Sequence, residues 1–188
     1  MGCSNAQNVE TIESRRSKHS IDLNNSNQTA NSSYISEAQF EIDINSLITI
    51  HNNFRKKHGC PNLEINDELN KMATEYASRY LESETEIFSS HTYNGEALGE
   101  NIFIYKKEIT IGQIFQYWYN EHKNYNYEVG KLQKDTTHFT QMIWKNTEFI
   151  GIGISSNRDK SKFCLVIYYY PAGNIFGKFI DNVPKEIK

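Results

Sequence analysis

Phe149-Ile-Gly-Ile-Gly-Ile154 and Phe163-Cys-Leu-Val-Ile-Tyr-Tyr-Tyr170 carry the reading of the fold. In the first stretch large side chains alternate with none. That suits a strand whose glycine face is closely approached by another backbone. The second is dense in β-branched and aromatic residues, a strong strand signal. The polar stretch 155–162 between them is turn-like. Together they read as an antiparallel hairpin in a central sheet.

Helical periodicity lies mostly upstream. Residues 43–58 place Ile44, Leu47, Ile48, His51 and Phe54 on one stripe, closed by Gly59 and Pro61. Leu69, Met72, Ala73, Tyr76, Ala77, Tyr80 and Leu81 form the clearest stripe, with Asn66 or Asp67 as cap. A third helix follows Thr110, with Ile111, Ile114, Phe115, Trp118, Tyr119 and His122 on one face. A short fourth fits Thr137 to Ile143, capped by Asp135, Thr136 or Thr137. Helices outnumber strands and mostly precede them, which predicts an α+β domain with helices packed on an antiparallel sheet.

The chain has 188 residues, and it divides near residue 39. Residues 1–38 hold eight Ser, six Asn and one aromatic, Tyr34. Such a stretch buries too little apolar surface to offset ordering entropy, so a disordered tail is expected. Residues 39–188 carry all other aromatics and are long enough for one independent domain. A net charge of -3 argues against general nucleic-acid binding. No apolar run approaches the roughly 20 residues of a spanning helix.

The N-terminus, Met1-Gly2-Cys3-Ser4-Asn5-Ala6, is no secretory signal. It resembles an acylation signal, with Gly2 for myristoylation and Cys3 for palmitoylation, although Ala6 stands where Ser or Thr is usual. One myristoyl chain anchors only marginally, so a second signal is physically sensible. Asn24, Asn27 and Asn31 head glycosylation sequons, which an Asn- and Ser-rich stretch produces by chance. Secretion is the less favoured reading, and Cys60 and Cys164 are expected to be reduced and buried, with a bond between them left open.

Four ionisable residues break the core pattern: His91, Glu100, Glu121 on the third helix, and His138 at the start of the fourth. Two His and two Glu could hold a divalent metal or a water. The spacing has no HExxH-type repeat, and a structural role is the simpler reading of it.

His138-Phe-Thr-Gln-Met-Ile-Trp144-Lys-Asn-Thr147 resembles the first signature of the CAP superfamily, and Tyr169-Tyr-Pro-Ala-Gly-Asn174 the second. That superfamily comprises cysteine-rich secretory proteins, antigen 5 and pathogenesis-related protein 1. Gly99-Glu100-Asn101, Trp118-Tyr-Asn-Glu121, the run His51 to Gly59, and Leu69-Asn70 are similar to further family blocks, in the same order. The resemblance spans about residues 40–182. Thr137 stands where Gly is frequent, and Ile167 and Tyr168 where secreted members have Cys and a polar residue. The missing disulfide cysteines point to the non-secreted Golgi-associated, plant pathogenesis-related-like or venom-allergen-like branch.

The resemblance implies a three-layer α-β-α sandwich and a cavity tetrad at His91, Glu100, Glu121 and His138. It implies that His91 and His138 can hold Zn²⁺, with the carboxylates fixing ring tautomers or a metal-bound water. Two imidazoles fall short of the three protein ligands usual for hydrolysis, so Glu100 or water would have to complete the set. No Ser or Cys nucleophile is evidently paired with either His. The alternative is a buried hydrogen-bond network that shapes the cleft. Three functions follow. The first is a membrane-anchored module on the cytosolic face of Golgi-type membranes that binds sterol, fatty acid, phosphoinositide or a partner; Phe115, Tyr117, Trp118, Tyr119, Tyr125 and Tyr127 and the Gly2-Cys3 pair motivate it. The others are a metal-dependent hydrolase, and a homodimerising scaffold, for which many exposed tyrosines are expected.

Overall fold

The computed structural model of the chain describes residues 44–83, 91–106 and 108–187. The tail, with Gly2, Cys3 and the three sequons, lies outside them.

Glycine alternation decides how the layers meet. β5 (Phe149–Ser156) turns Gly151 and Gly153 toward α2 (Asp67–Ser83). A Cβ on Gly151 would stand 2.3 Å from the Leu69 carbonyl carbon, and one on Gly153 2.1 Å from the Thr74 nitrogen. Helix and strand backbones therefore touch, as the alternation implied. β5 pairs antiparallel with β6 (Phe163–Tyr170), and β6 with β4 (Gly99–Tyr105). β1 (Glu64–Ile65) adds a two-residue parallel pairing at the other edge, giving the order β1-β5-β6-β4.

Helices cover both faces. α2 packs Ala73, Tyr76 and Ala77 against Cys164, Val166 and Tyr168. On the other face α1 (Ile44–Lys57), α3 (Ile111–Asn120) and α4 (Thr137–Met142) enclose a larger core that includes Phe54, Phe115, Trp118, Phe139 and Ile167. The result is an α+β, three-layer α-β-α sandwich. Helix starts follow local chemistry. Asn66 Oδ1 accepts the Leu69 N–H at 3.0 Å, and Thr110 and Gln113 form a capping box on α3.

Several expectations need revision. The apolar run that begins at Gly99-Glu100 forms a full strand, β4, for which the sequence alone names no element. A small hairpin, β2 (Thr92–Tyr93) and β3 (Glu96–Ala97), turns at Asn94-Gly95, both at positive φ. β5 runs two residues past its expected end. Glu121 and His122 leave α3 and open a 3₁₀ turn, Glu121–Asn124. A last short helix, α5 (Phe179–Asn182), was not anticipated. The aromatic-rich segment that motivated lipid binding is core: Phe115, Tyr125 and, as their helical spacing suggested, Trp118 and Tyr119 are buried, and Tyr117 and Tyr127 pack against them. None of the described tyrosines is exposed. Cys60 and Cys164 are free and buried, one in each core, so they lie on opposite faces of the sheet.

Candidate functional site

The tetrad folds into two His–Glu pairs. β4 is an edge strand, and successive side chains leave it on opposite faces. Glu100 therefore points to the α2 side, where its Oε2 lies 3.5 Å from His91 Nδ1. The His91 ring packs against Tyr76, 4.3 Å between centroids, and Tyr168, 5.1 Å. Asn101 points to the other side. There its Nδ2 donates to the His138 carbonyl at 3.3 Å and to the Tyr169 hydroxyl at 3.2 Å. The two pairs thus flank the first residues of β4, one on each face.

Glu121 organises the second pair. Its Oε1 accepts His138 Nδ1–H at 2.6 Å. Its Oε2 accepts the backbone N–H of both His138 and Phe139 at 3.0 Å. Thr136 occupies the position before α4 but makes no side-chain cap. The cap that sequence placed at 135–137 is supplied by a carboxylate from the end of α3. A negative charge belongs at a helix N-terminus, where N–H groups lack intrahelical partners. The contact also fixes the orientation of the His138 ring through its Nδ1. The ring stacks on Trp118 at 5.4 Å and 11°.

The signature blocks hold each other. Thr140 Oγ1 donates to Asn174 Oδ1 at 2.6 Å, and Asn174 Nδ2 donates back to the Thr137 carbonyl at 3.0 Å. Gln141 Oε1 accepts Gly173 N–H at 3.0 Å. The Gln141 amide also fills the space a Cβ on Gly99 would need, 2.2 Å away. Glycine at 99 is thereby explained by close approach.

Two further groups were missed in the sequence. His51 Nε2 lies 3.1 Å from the Tyr169 hydroxyl, extending the Asn101 contact into a buried chain from α1 to α4. Burial, then Arg55, pushes His51 down to about 3, so it is neutral. Arg55 is fully buried and reaches five carbonyls: Pro61 at 2.8 Å, Met142 at 3.0 Å, Trp144 at 2.8 Å, Thr147 at 3.2 Å and Lys145 at 3.5 Å. Standing in Arg55-Lys56-Lys57, it reads as a solvated helix end; its neighbours at i−1 and i−4, Phe54 and His51, both on the core-facing stripe, were the available signal.

The chemistry of the site is that of positioned imidazoles. No Ser, Thr or Cys side chain hydrogen-bonds to His138 among the described residues. Cys60 Sγ donates to the Ile143 carbonyl at 3.0 Å, and burial raises both thiols, Cys164 to about 12. Neither is a ready nucleophile. Among the described residues no group of three or more His, Cys, Asp or Glu is arranged to hold a metal ion. The donor set therefore does not fit a hydrolytic zinc centre with three protein ligands. What it retains is a carboxylate-oriented imidazole at His138, with His91 3.5 Å from the Glu100 carboxylate on the other face.

Residues 48–169 match CAP, the cysteine-rich secretory protein family. The chain belongs to the CAP family. It is 36% identical to human Golgi-associated plant pathogenesis-related protein 1 over 146 residues, covering 76% of this chain and 94% of that protein. It is 31% identical to protein PRY2 of Saccharomyces cerevisiae, over 73% of this chain and 40% of that one. Among solved CAP-type structures, venom allergen-like protein 4 of Schistosoma mansoni superposes with a TM-score of 0.58 at 25% identity, covering 82% of this chain and 97% of that chain. The signature blocks of this CAP chain are thus the segments that latch α4 to the end of β6.

Proposed function

We propose that this CAP protein is a binding module rather than a hydrolase. Acylation at Gly2 and Cys3 would hold it on the cytosolic face of Golgi-type membranes, where the domain takes up lipid (sterol, fatty acid or phosphoinositide) or a protein partner, a second copy included. The name of the human relative supports the Golgi assignment. The observation that carries the binding reading is the double duty of Glu121. Both its oxygens are engaged by α4 and His138, which together supply three donors, so it acts as a positioning group. His91 and His138 would offer Nε2 atoms to a divalent ion such as Zn²⁺ as a weak two-imidazole guest, not as a reaction centre.

The test uses the full acylated chain and its Gly2→Ala variant. Each is mixed with phosphatidylcholine vesicles carrying sterol, phosphoinositide or neither, with and without Zn²⁺. Co-sedimentation of the native chain that is lost in Gly2→Ala supports the anchor. Residual binding of Gly2→Ala that depends on lipid type assigns lipid recognition to the domain. Equal co-sedimentation of both chains on every vesicle would overturn the anchor. Turnover of a peptide or ester that His138→Ala abolishes would overturn the binding reading in favour of hydrolysis.

A further inference from the structure

Four of the five large apolar side chains exposed among the described residues sit on two short segments. Val129 belongs to one, and Ile175, Phe176 and Ile180 to the other. Phe176 is 85% exposed and Ile180 72%. The two segments meet: a Cβ on Gly130 would stand 2.6 Å from Ile180 Cγ1. Single exposed apolar side chains are ordinary, whereas a contiguous group of them marks an interaction surface.

The turn that carries Phe176 is fastened on both sides. Asn174 is tied to Thr140 and Thr137 of α4 at 2.6 and 3.0 Å. The Lys178 N–H donates to the Ile175 carbonyl at 3.1 Å, which leaves Phe176 and Gly177 at the tip. Just beyond, Phe179 is buried edge-on against Trp144. Phe176 therefore projects from a convex tip whose base is part of the core.

Area and charge select the occupant. Four such side chains offer roughly 300–600 Å², short of the roughly 800 Å² per partner in a stable protein interface. The neighbouring charges nearly cancel. Exposed Lys131 and Lys178 stand with exposed Asp181, and Glu128 is paired with Lys185 at 2.6 Å. No surplus of either sign steers an acidic or basic partner to the tip. We propose that the tip inserts into the interfacial layer of a neutral phospholipid bilayer. Phe176 and Ile180 enter the upper acyl region, and the Lys131 and Lys178 ammonium groups stay at the headgroups. This rests on the membrane reading above and adds to it the face that the domain turns to the lipid. One myristoyl chain anchors only marginally, and this contact supplies a further hold.

Phe176→Trp makes the tip its own probe, because the two tryptophans of the chain, Trp118 and Trp144, are buried. The change is made in the full Gly2→Ala chain, which lacks the myristoyl anchor, and the protein is titrated with phosphatidylcholine vesicles. The new indole is expected to shift to the blue and to be quenched by lipid brominated near the headgroups, and salt should leave both effects unchanged. Adding Ile180→Asp should weaken partitioning about 10-fold to 100-fold. The parent Gly2→Ala chain, whose tryptophans are both buried, should not respond. Emission that stays red at millimolar lipid overturns the inference, while co-sedimentation of the acylated chain judges the anchor separately. Emission already blue in the dilute, lipid-free chain overturns it by showing that the chain covers its own tip. A blue shift that follows protein concentration without lipid also overturns it, and assigns the tip to a second copy.

Discussion

Glu121 grips His138 at two points, the ring Nδ1–H at 2.6 Å and the backbone N–H at 3.0 Å. The same carboxylate accepts from Phe139, so three buried donors depend on one side chain. Each donor left without a partner in the interior costs about 1–3 kcal/mol.

Glu121→Ala should therefore lower stability by about 3 kcal/mol or more, and Glu121→Gln by about 2 kcal/mol, since an amide keeps one acceptor but turns an NH₂ toward donors. Denaturant titration by circular dichroism measures both. A loss under about 0.5 kcal/mol for Glu121→Ala, within the range of ordinary surface changes, would refute the capping role.

Arg55→Lys should cost about 3 kcal/mol. Lysine has three donors and no planar fork, so at least two of the five carbonyls lose their partner. The measurement is again the unfolding free energy. An unchanged value would show that water replaces the guanidinium freely.

Gly153→Ala should cost about 3 kcal/mol, because the new methyl meets the α2 backbone, which cannot rotate away. Gly177→Ala is the control. Its φ is +76 and nothing stands within 4 Å, so the cost is conformational and about 1 kcal/mol. Equal melting shifts in the two variants would mean that α2 slides off β5 without penalty.

Stability should fall on acidification between pH about 6.5 and about 3. His51 is held neutral in the fold, where burial takes it from its ordinary 6.5 to about 3, while in the unfolded chain it protonates normally. The unfolded state then binds the extra proton in that window, and the loss approaches about 1.4 kcal/mol per pH unit. Burial lowers His58 as well, which adds to the slope in the same direction. Unfolding free energies at pH 7 and pH 5 test this. A His51→Phe chain should show a shallower slope; an identical slope would place the proton uptake on other groups.

Much of this was legible in the sequence where the signal was local. The Gly151 and Gly153 alternation foretold close approach of another backbone to β5, because two absent side chains have few other uses in a strand; that the backbone is α2 came from the fold. The resemblance named the tetrad as a set, and its division into His91 with Glu100 and Glu121 with His138 appears only in the fold. The commitment of Glu121 to the α4 backbone was not legible, since donor and acceptor lie 17 positions apart and a local Thr-rich start offered plausible caps. β4 was missed because its alternation has meaning only once β6 lies beside it. Arg55 was missed because a charge among lysines reads as solvated, and only the carbonyls of a distant turn make its burial tolerable.

Those carbonyls belong to residues 87 to 92 positions away along the chain, with Pro61 nearby. A first helix fastened in this way cannot fray by itself, since its departure would strand a guanidinium and several oxygens in the same event. The amino-terminal helix and the turn ahead of β5 accordingly belong to one cooperative unit, and heat or denaturant should meet a single all-or-none transition spanning both halves of the domain.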